Sequence, residues 1–452
     1  MTLERLLKKY SKSNMYPFHM PGHKRMLQGS YKIDMTEVEG VDDLHDPDGI
    51  IAEEQIRLAN LYKANKSFIL VGGTTVGNLA AIYSCCNEND GILIQRNSHK
   101  SVYNAAIIRH LKVGYIQPAL DENGIYKAAT LEDIQKAIEE YGKPRAIVLT
   151  SPTYEGYHCS LGKIYSFCQN ENIILIVDQA HGAHLGFHDD FKESAVLKSD
   201  ITIQSLHKTL PCLTQSAALH INGGRIDSQK VAAALDVFET SSPSYVLMNS
   251  ISHCISIMEK SQDKFDSYVE KLDDFYRISG KLNHFEIIDE PSQIKDPGKI
   301  VIITKHTNIS GVQLAKILRE KYEIETELSS FSYVLAMTSF MDTKEGFERL
   351  KTALLEIDKQ IEDGAIEVPH IWNQHRKEME PWQAKAKAGT KVDLFRASGF
   401  VCQDEICLYP PGAPIVVPGE VITKKTIELI NQAQKSGIHV TGINNNSIYV
   451  VN

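Results

Sequence analysis

The chain has 452 residues, 42% of them apolar and 23% charged, which is the composition of a folded globular protein with room for two domains. Its 48 basic and 57 acidic residues leave a formal charge of −9, arguing against nucleic acid or an anionic membrane surface as a partner. No apolar run approaches the ~18 residues that span a bilayer.

In chain order, MTLERLLKKYSKSNMYPFH interleaves charges with leucines and reads as a short amphipathic helix rather than an export signal. From residue 70 to 225, short β-branched runs alternate with helical stretches, the pattern of a parallel α/β sheet. Strands are expected at Gly91–Gln95, Gly114–Gln117, Ala146–Thr150, Ile173–Val177, Ile201–Gln204 and Ala217–Ile221. Helices are expected at Thr75–Cys86, Ser101–Leu111, Thr130–Tyr141 and Gly162–Glu171. The run IILIV at Ile173–Val177 is apolar throughout, as suits a central strand covered on both faces. One helical stretch is expected over Ser244–Ser279. A second α/β segment follows, with strands near Ile300–Thr304 and Tyr333–Thr338 and helices near Gly311–Tyr322 and Thr343–Gly364. After the Pro-rich YPPGAPIVVPGE (Tyr409–Glu420) come a last helix and a closing strand. The expected division is residues 1–280, an N-terminal segment plus a large domain, and residues 281–452, a smaller C-terminal α/β domain. The eight cysteines form no CxxC, so free thiols in a reducing, cytoplasmic setting are expected rather than a zinc site or disulfide framework.

Four segments fall at the carboxyl ends of strands or at helix starts, where open α/β sheets bind ligands. GGTT (Gly72–Thr75) opens a helix with glycines, hydroxyls and a positive helix end, suited to a phosphate, although a plain capped helix start looks the same. Asp178 closes the IILIV strand, as a helix cap or as an acid held against a cationic ring nitrogen. Lys208 follows the strand Ile201–Gln204 in SLHK, an unusual place for a surface lysine and a suitable one for an amine nucleophile; Ser205 could face the same phosphate as Thr74 and Thr75. His99 in RNSHKS offers a flat ring for stacking, or is an ordinary surface or core histidine. Together they supply a phosphate cradle, a lysine for an aldehyde, an acid for a pyridinium and a ring to stack on it. That set is what pyridoxal 5′-phosphate requires, with Lys208 as the Schiff-base lysine.

The segments FHMPGHKR (Phe18–Arg25), EGVDDLHDPDGII (Glu39–Ile51), GGTT, RNSHKSV, TSPTYEG (Thr150–Gly156), VDQAHGAH (Val177–His184), QSLHKTL, TQSAALH, SSPSY (Ser241–Tyr245) and YPPGAPIVVPGE resemble the Orn/Lys/Arg decarboxylase family, in the compact form found in Gram-positive bacteria. The resemblance implies a fold-type I pyridoxal-phosphate enzyme, similar to the aspartate aminotransferases, with a mostly parallel sheet in its large domain. It further implies a carboxy-lyase acting on arginine, lysine or ornithine in polyamine-type metabolism, and a homodimer or multiple of dimers with the active site at the subunit interface. Carried over, Lys208 bears the cofactor, Asp178 partners its ring nitrogen and His99 stacks on the ring. Thr74, Thr75 and Ser205 hold the phosphate, joined by Thr240 of the neighbouring subunit. Ala180 and His181 lie beside the ring, and His207 lies between phosphate and substrate. Thr153 approaches the phenolic oxygen. Glu420, with Asp42 and Asp43 behind it, is the candidate for meeting a distal substrate cation, although each is equally readable as a solvated loop acid. Two departures stand out: Gln179 where the family commonly has an acid beside Asp178, and Ala413 where it has isoleucine. Competing readings are another fold-type I activity, such as an aminotransferase using Arg396 on the substrate carboxylate, and a cofactor-binding homologue with a regulatory role.

Overall fold

A computed structural model describes residues 1–369, 375–409 and 412–451, so Pro410 and Pro411 of the YPPG motif lie outside the described residues. Seven strands carry the first half of the chain: β1 (Lys66–Leu70), β2 (Gly91–Gln95), β3 (Lys112–Ile116), β4 (Ala146–Thr150), β5 (Ile174–Asp178), β6 (Ile201–Ser205) and β7 (Ala217–Ile221). The chain forms two compact units, one of Met1–Cys85 with Leu161–Asp263, the other of Cys86–Ser160 with Lys264–Asn452. The chain leaves the first unit after Cys85 and re-enters it at Leu161.

In the first unit the strand order is β1-β7-β6-β5. β5 and β6 run parallel, Asp178 facing Ile203, whereas β7 runs antiparallel to both β6 and β1. Parallel neighbours bring their carboxyl ends to one edge, which sets the loops after Asp178 and Ser205 side by side. Every residue of β5 and β6 is buried, each large aliphatic side chain contributing about 1.5–3 kcal/mol. The helix Gly73–Cys85 lies close on β6, since a Cβ at Gly77 would fall 2.5 Å from Ile203 Cγ2. Gly73 starts that helix at φ +72°, a conformation open to glycine. Among the described residues no helix is long and apolar enough to cross a membrane.

In the second unit β4, β2 and β3 are parallel in that order. An antiparallel sheet follows, ordered Leu328–Ser329, Tyr333–Met337, Lys299–Ile303, Glu286–Ile287. The last segment builds a core of Leu394, Cys402, Ile406, Val416, Ile430 and Ile448 beneath the helix Lys424–Lys435 and its short strands.

Three elements depart from the sequence expectation for identifiable reasons. Thr130 caps its helix rather than entering it, exchanging hydrogen bonds with Asp133 in a capping box. The stretch over Ser244–Ser279 is two main helices, Tyr245–Met258 and Gln262–Tyr276, because Ser261 turns back and its hydroxyl donates to the Met258 carbonyl at 2.8 Å. The helix expected to reach Gly364 ends at Asp358, whose carboxylate accepts from the N–H groups of Asn283, His284 and Phe285.

Candidate active site

The first unit brings two catalytic-type loops together. Lys208 sits in the short helix Leu206–Thr209 directly after β6, and its Nζ lies 2.9 Å from His181 Nε2 of the loop after β5. Asp178, 2% exposed at the end of β5, accepts from Asn78 Nδ2 at 2.8 Å and from the Ala180 N–H at 3.1 Å. On the neighbouring strand end, Ser205 Oγ lies 3.2 Å from Thr74 Oγ1, at the start of the Gly73–Cys85 helix. Thr75 is exposed beside it. The Val71 and Gly72 N–H groups are already taken by the Glu239 carboxylate, each at 3.0 Å. An anion at this turn is therefore left the hydroxyls and the free N–H groups of the first helical turn.

His207 places Nδ1 2.8 Å from the Ser216 carbonyl, which assigns the proton to that nitrogen in the neutral ring. Burial lowers its pKa, and the Lys208 charge adds to the shift. Thr240 is exposed; its carbonyl is 2.8 Å from His45 Nε2. Gln179 is fully buried, accepting from Gln204 Nε2 at 2.9 Å and the Ala195 N–H at 3.2 Å, and donating to the Glu193 carbonyl. The row continues from Gln204 to His220 and on to Ser67, spanning β6, β7 and β1.

His99, Thr153 and Glu420 belong to the second unit. His99 is exposed and caps the helix Lys100–Ile108, its Nδ1 accepting the Ser101 N–H. Thr153, Glu420, Asp42 and Asp43 each make contacts local to the fold. Thr153 is fully buried and its hydroxyl accepts the Tyr157 N–H. Glu420 is 1% exposed and bound to Arg96 and the Val417 N–H, leaving no open face for a substrate cation. Asp42 accepts five backbone N–H groups, those of Asp43, Asp48, Gly49, Ile51 and Ala52, which makes it the organiser of the turn into the helix Ile50–Tyr62. Asp43 accepts the His45 N–H in the same turn. Asn78 and Glu239 were not anticipated. Asn78 had a signal, lying four residues after Thr74 and thus on the same helix face. Glu239 had none in its surroundings.

The donor set fits pyridoxal 5′-phosphate: a lysine amine, a buried carboxylate with lone pairs to spare, and a hydroxyl pair at a helix start. Fold and family agree with it. The lysine decarboxylase LdcF of Francisella novicida superposes with a TM-score of 0.84 at 21% identity, covering 100% of this chain and 81% of that one. The protein is a fold-type I, pyridoxal-phosphate-dependent enzyme. Residues 2–278 match the Orn/Lys/Arg decarboxylase major domain and residues 371–447 its C-terminal domain. The chain belongs to that family and is a carboxy-lyase. It is 33% identical to the uncharacterized protein YaaO of Bacillus subtilis, over 97% of this chain and 95% of that one. It is 29% identical to the arginine decarboxylase of Bacillus anthracis, over 96% and 93% respectively.

Proposed function

We propose that this enzyme decarboxylates a basic amino acid, arginine foremost, releasing CO2 and the corresponding amine. The contact between Lys208 and His181, beside the Asn78-held carboxylate of Asp178, is the observation that carries the reading. The names of the Bacillus relatives favour arginine over lysine and ornithine.

Bound at Lys208, pyridoxal 5′-phosphate supplies a sink for the electron pair left when the Cα–carboxylate bond breaks. Thr74, Thr75 and Ser205 would hold the phosphate, with Thr240 reaching that of a neighbouring subunit in a dimer. Asp178 would keep the ring nitrogen protonated, His99 would stack on the ring, and Ala180 and His181 would line its edge. His207, its Nδ1 proton committed to Ser216 and its pKa lowered, is a poor acid near neutral pH. The Lys208 ammonium is therefore the better donor of the proton that Cα receives. With all eight cysteines free, a reducing cytoplasm is the compartment that suits the chain.

The test is incubation of the holoenzyme with arginine, lysine and ornithine, assayed for CO2 and for agmatine, cadaverine and putrescine. A keto acid in place of an amine would make it an aminotransferase. Absence of any amine, with cofactor bound, would leave a regulatory homologue. Lys208→Ala should abolish the visible absorption band of the holoenzyme, and a retained band removes Lys208 from its role.

A further inference from the structure

The helix Ile50–Tyr62, the strand β1 and the helix Ser228–Phe238 line a cavity of about 470 Å3 in the first unit, the size of a small-molecule site. Lys208, Asp178 and Thr74 are not among its walls. All five residues of β1 line it. Successive strand side chains point to opposite faces, so the cavity runs along the strand's outer edge. There β1 ends the sheet order, and its outward carbonyls face no further strand. Phe68, Leu70 and Leu235 give the cavity apolar walls.

Gln55, on the helix wall, is 7% exposed, yet its amide has no hydrogen-bond partner among the described residues. Ala52 and Ala59 flank it at helical spacing, and these small side chains leave the amide open to the cavity. A buried amide without a partner is costly, and an occupant with N–H donors satisfies its carbonyl. Charge points the same way. The carboxylates of Asp46, Asp236 and Glu239 outnumber Lys66 on the walls, and His45 stands 3.2 Å from Asp236. Glu239 holds the Val71 and Gly72 N–H groups just past β1, so the acids gather at the Leu70 end. Lys66 lies at the other end, four residues and about 13 Å along the strand.

We propose that this cavity binds an organic cation, an ammonium or guanidinium head on an unbranched methylene stem. The head meets the acids and the Gln55 carbonyl, and the stem lies on the apolar wall. Resting on the proposed function, the inference goes one step further: the amine released by decarboxylation belongs to this class, so the cavity senses product. Glu239 is the link. A cation drawn to its carboxylate competes with the Val71 and Gly72 N–H groups, which hold the turn leading to Thr74, and turnover falls.

The experiment titrates holoenzyme calorimetrically with n-butylguanidinium, which forms no Schiff base, and locates it by hydrogen–deuterium exchange. Binding should add protection in residues 50–70 and 228–240 and not in 205–216. Gln55→Leu, similar in size, should weaken binding about tenfold. Asp236→Asn should weaken it several-fold, and with its side chain 73% exposed the change leaves the core intact. n-Pentanol, which has the stem without the charge, should not bind. Absence of binding, undiminished binding to Gln55→Leu, n-pentanol binding as tightly as the cation, or protection confined to 205–216 overturns the site. These readouts need no turnover, so they stand if the substrate assignment fails. Saturating n-butylguanidinium should lower turnover several-fold in the parent enzyme and leave that of Gln55→Leu unaltered. Unchanged turnover of the parent at full occupancy overturns the product-sensing role.

Discussion

The Arg96 guanidinium and the Glu420 carboxylate meet at 3.0 Å, with neither side chain reaching water. Burial disfavours the guanidinium charge, but Glu420 and the phenols of Tyr103 and Tyr115 outweigh that effect and raise the pKa of Arg96. Arg96 also donates to the Tyr103 hydroxyl and the Ile415 carbonyl, so the pair fastens the end of β2 to the PGE turn. Removing one partner leaves a bare buried charge. Glu420→Ala is therefore expected to cost about 3–5 kcal/mol of stability in urea unfolding. A raised KM for the amino-acid substrate at unchanged stability would instead return Glu420 to the substrate site.

Asp42 serves its own turn in the same way. Asp42→Ala should lower stability by about 1–2 kcal/mol, the usual effect of a lost cap, with KM for the amino-acid substrate unaltered. Thermal melts paired with steady-state kinetics check this, and a KM effect without loss of stability contradicts it.

Asn78 orients the carboxylate proposed to face the cofactor ring. Asn78→Ala should weaken pyridoxal-phosphate binding about tenfold, equivalent to about 1.4 kcal/mol. Fluorescence titration of the apoenzyme reads it directly, and an unchanged Kd would separate Asp178 from the ring.

Lys295 is 1% exposed and, among the described residues, donates to the carbonyls of Lys299 and Asp296. Burial pushes its pKa down to about 8 from 10.5, against the pull of Asp296. For a base depressed in the fold, the unfolded chain binds more protons between those two values. Stability therefore rises with pH from about 8 to 10.5, by about 3 kcal/mol in total. Lys295→Met should be more stable than the parent at pH 7, and that advantage should shrink as pH climbs through this window. Parallel unfolding curves at all pH values would show the ammonium to be accommodated without penalty.

Gln179 uses both ends of its amide. Gln179→Glu restores the acid common in the family but turns the donor toward the Glu193 carbonyl into an acceptor, and is expected to cost about 1–3 kcal/mol. A neutral result in urea unfolding would mean that the loop Glu193–Ala195 re-forms around the acid.

Much of this was legible in residue patterns. β2, β4 and β7 match their expected ranges because each is a β-branched or apolar run between turn residues. The grouping of Asp178, Ser205 and Lys208 was legible because parallel strands gather their carboxyl ends. Burial was not legible: PGE reads as a solvated turn, and only the distant Arg96 explains why Glu420 is enclosed. The break between the helices after Met258 was equally hidden, since a serine hydroxyl makes it, with neither glycine nor proline.

One buried ring has a wider consequence. His220, wedged between Ser67 and Gln204, is pushed by burial to about 3, so of the seventeen histidines it is one that stays uncharged wherever the enzyme is assayed. The row from Ser67 to Gln179 therefore carries no charge on its histidine next to the strand end that bears Asp178. An acid limb in the rate profile then does not come from His220.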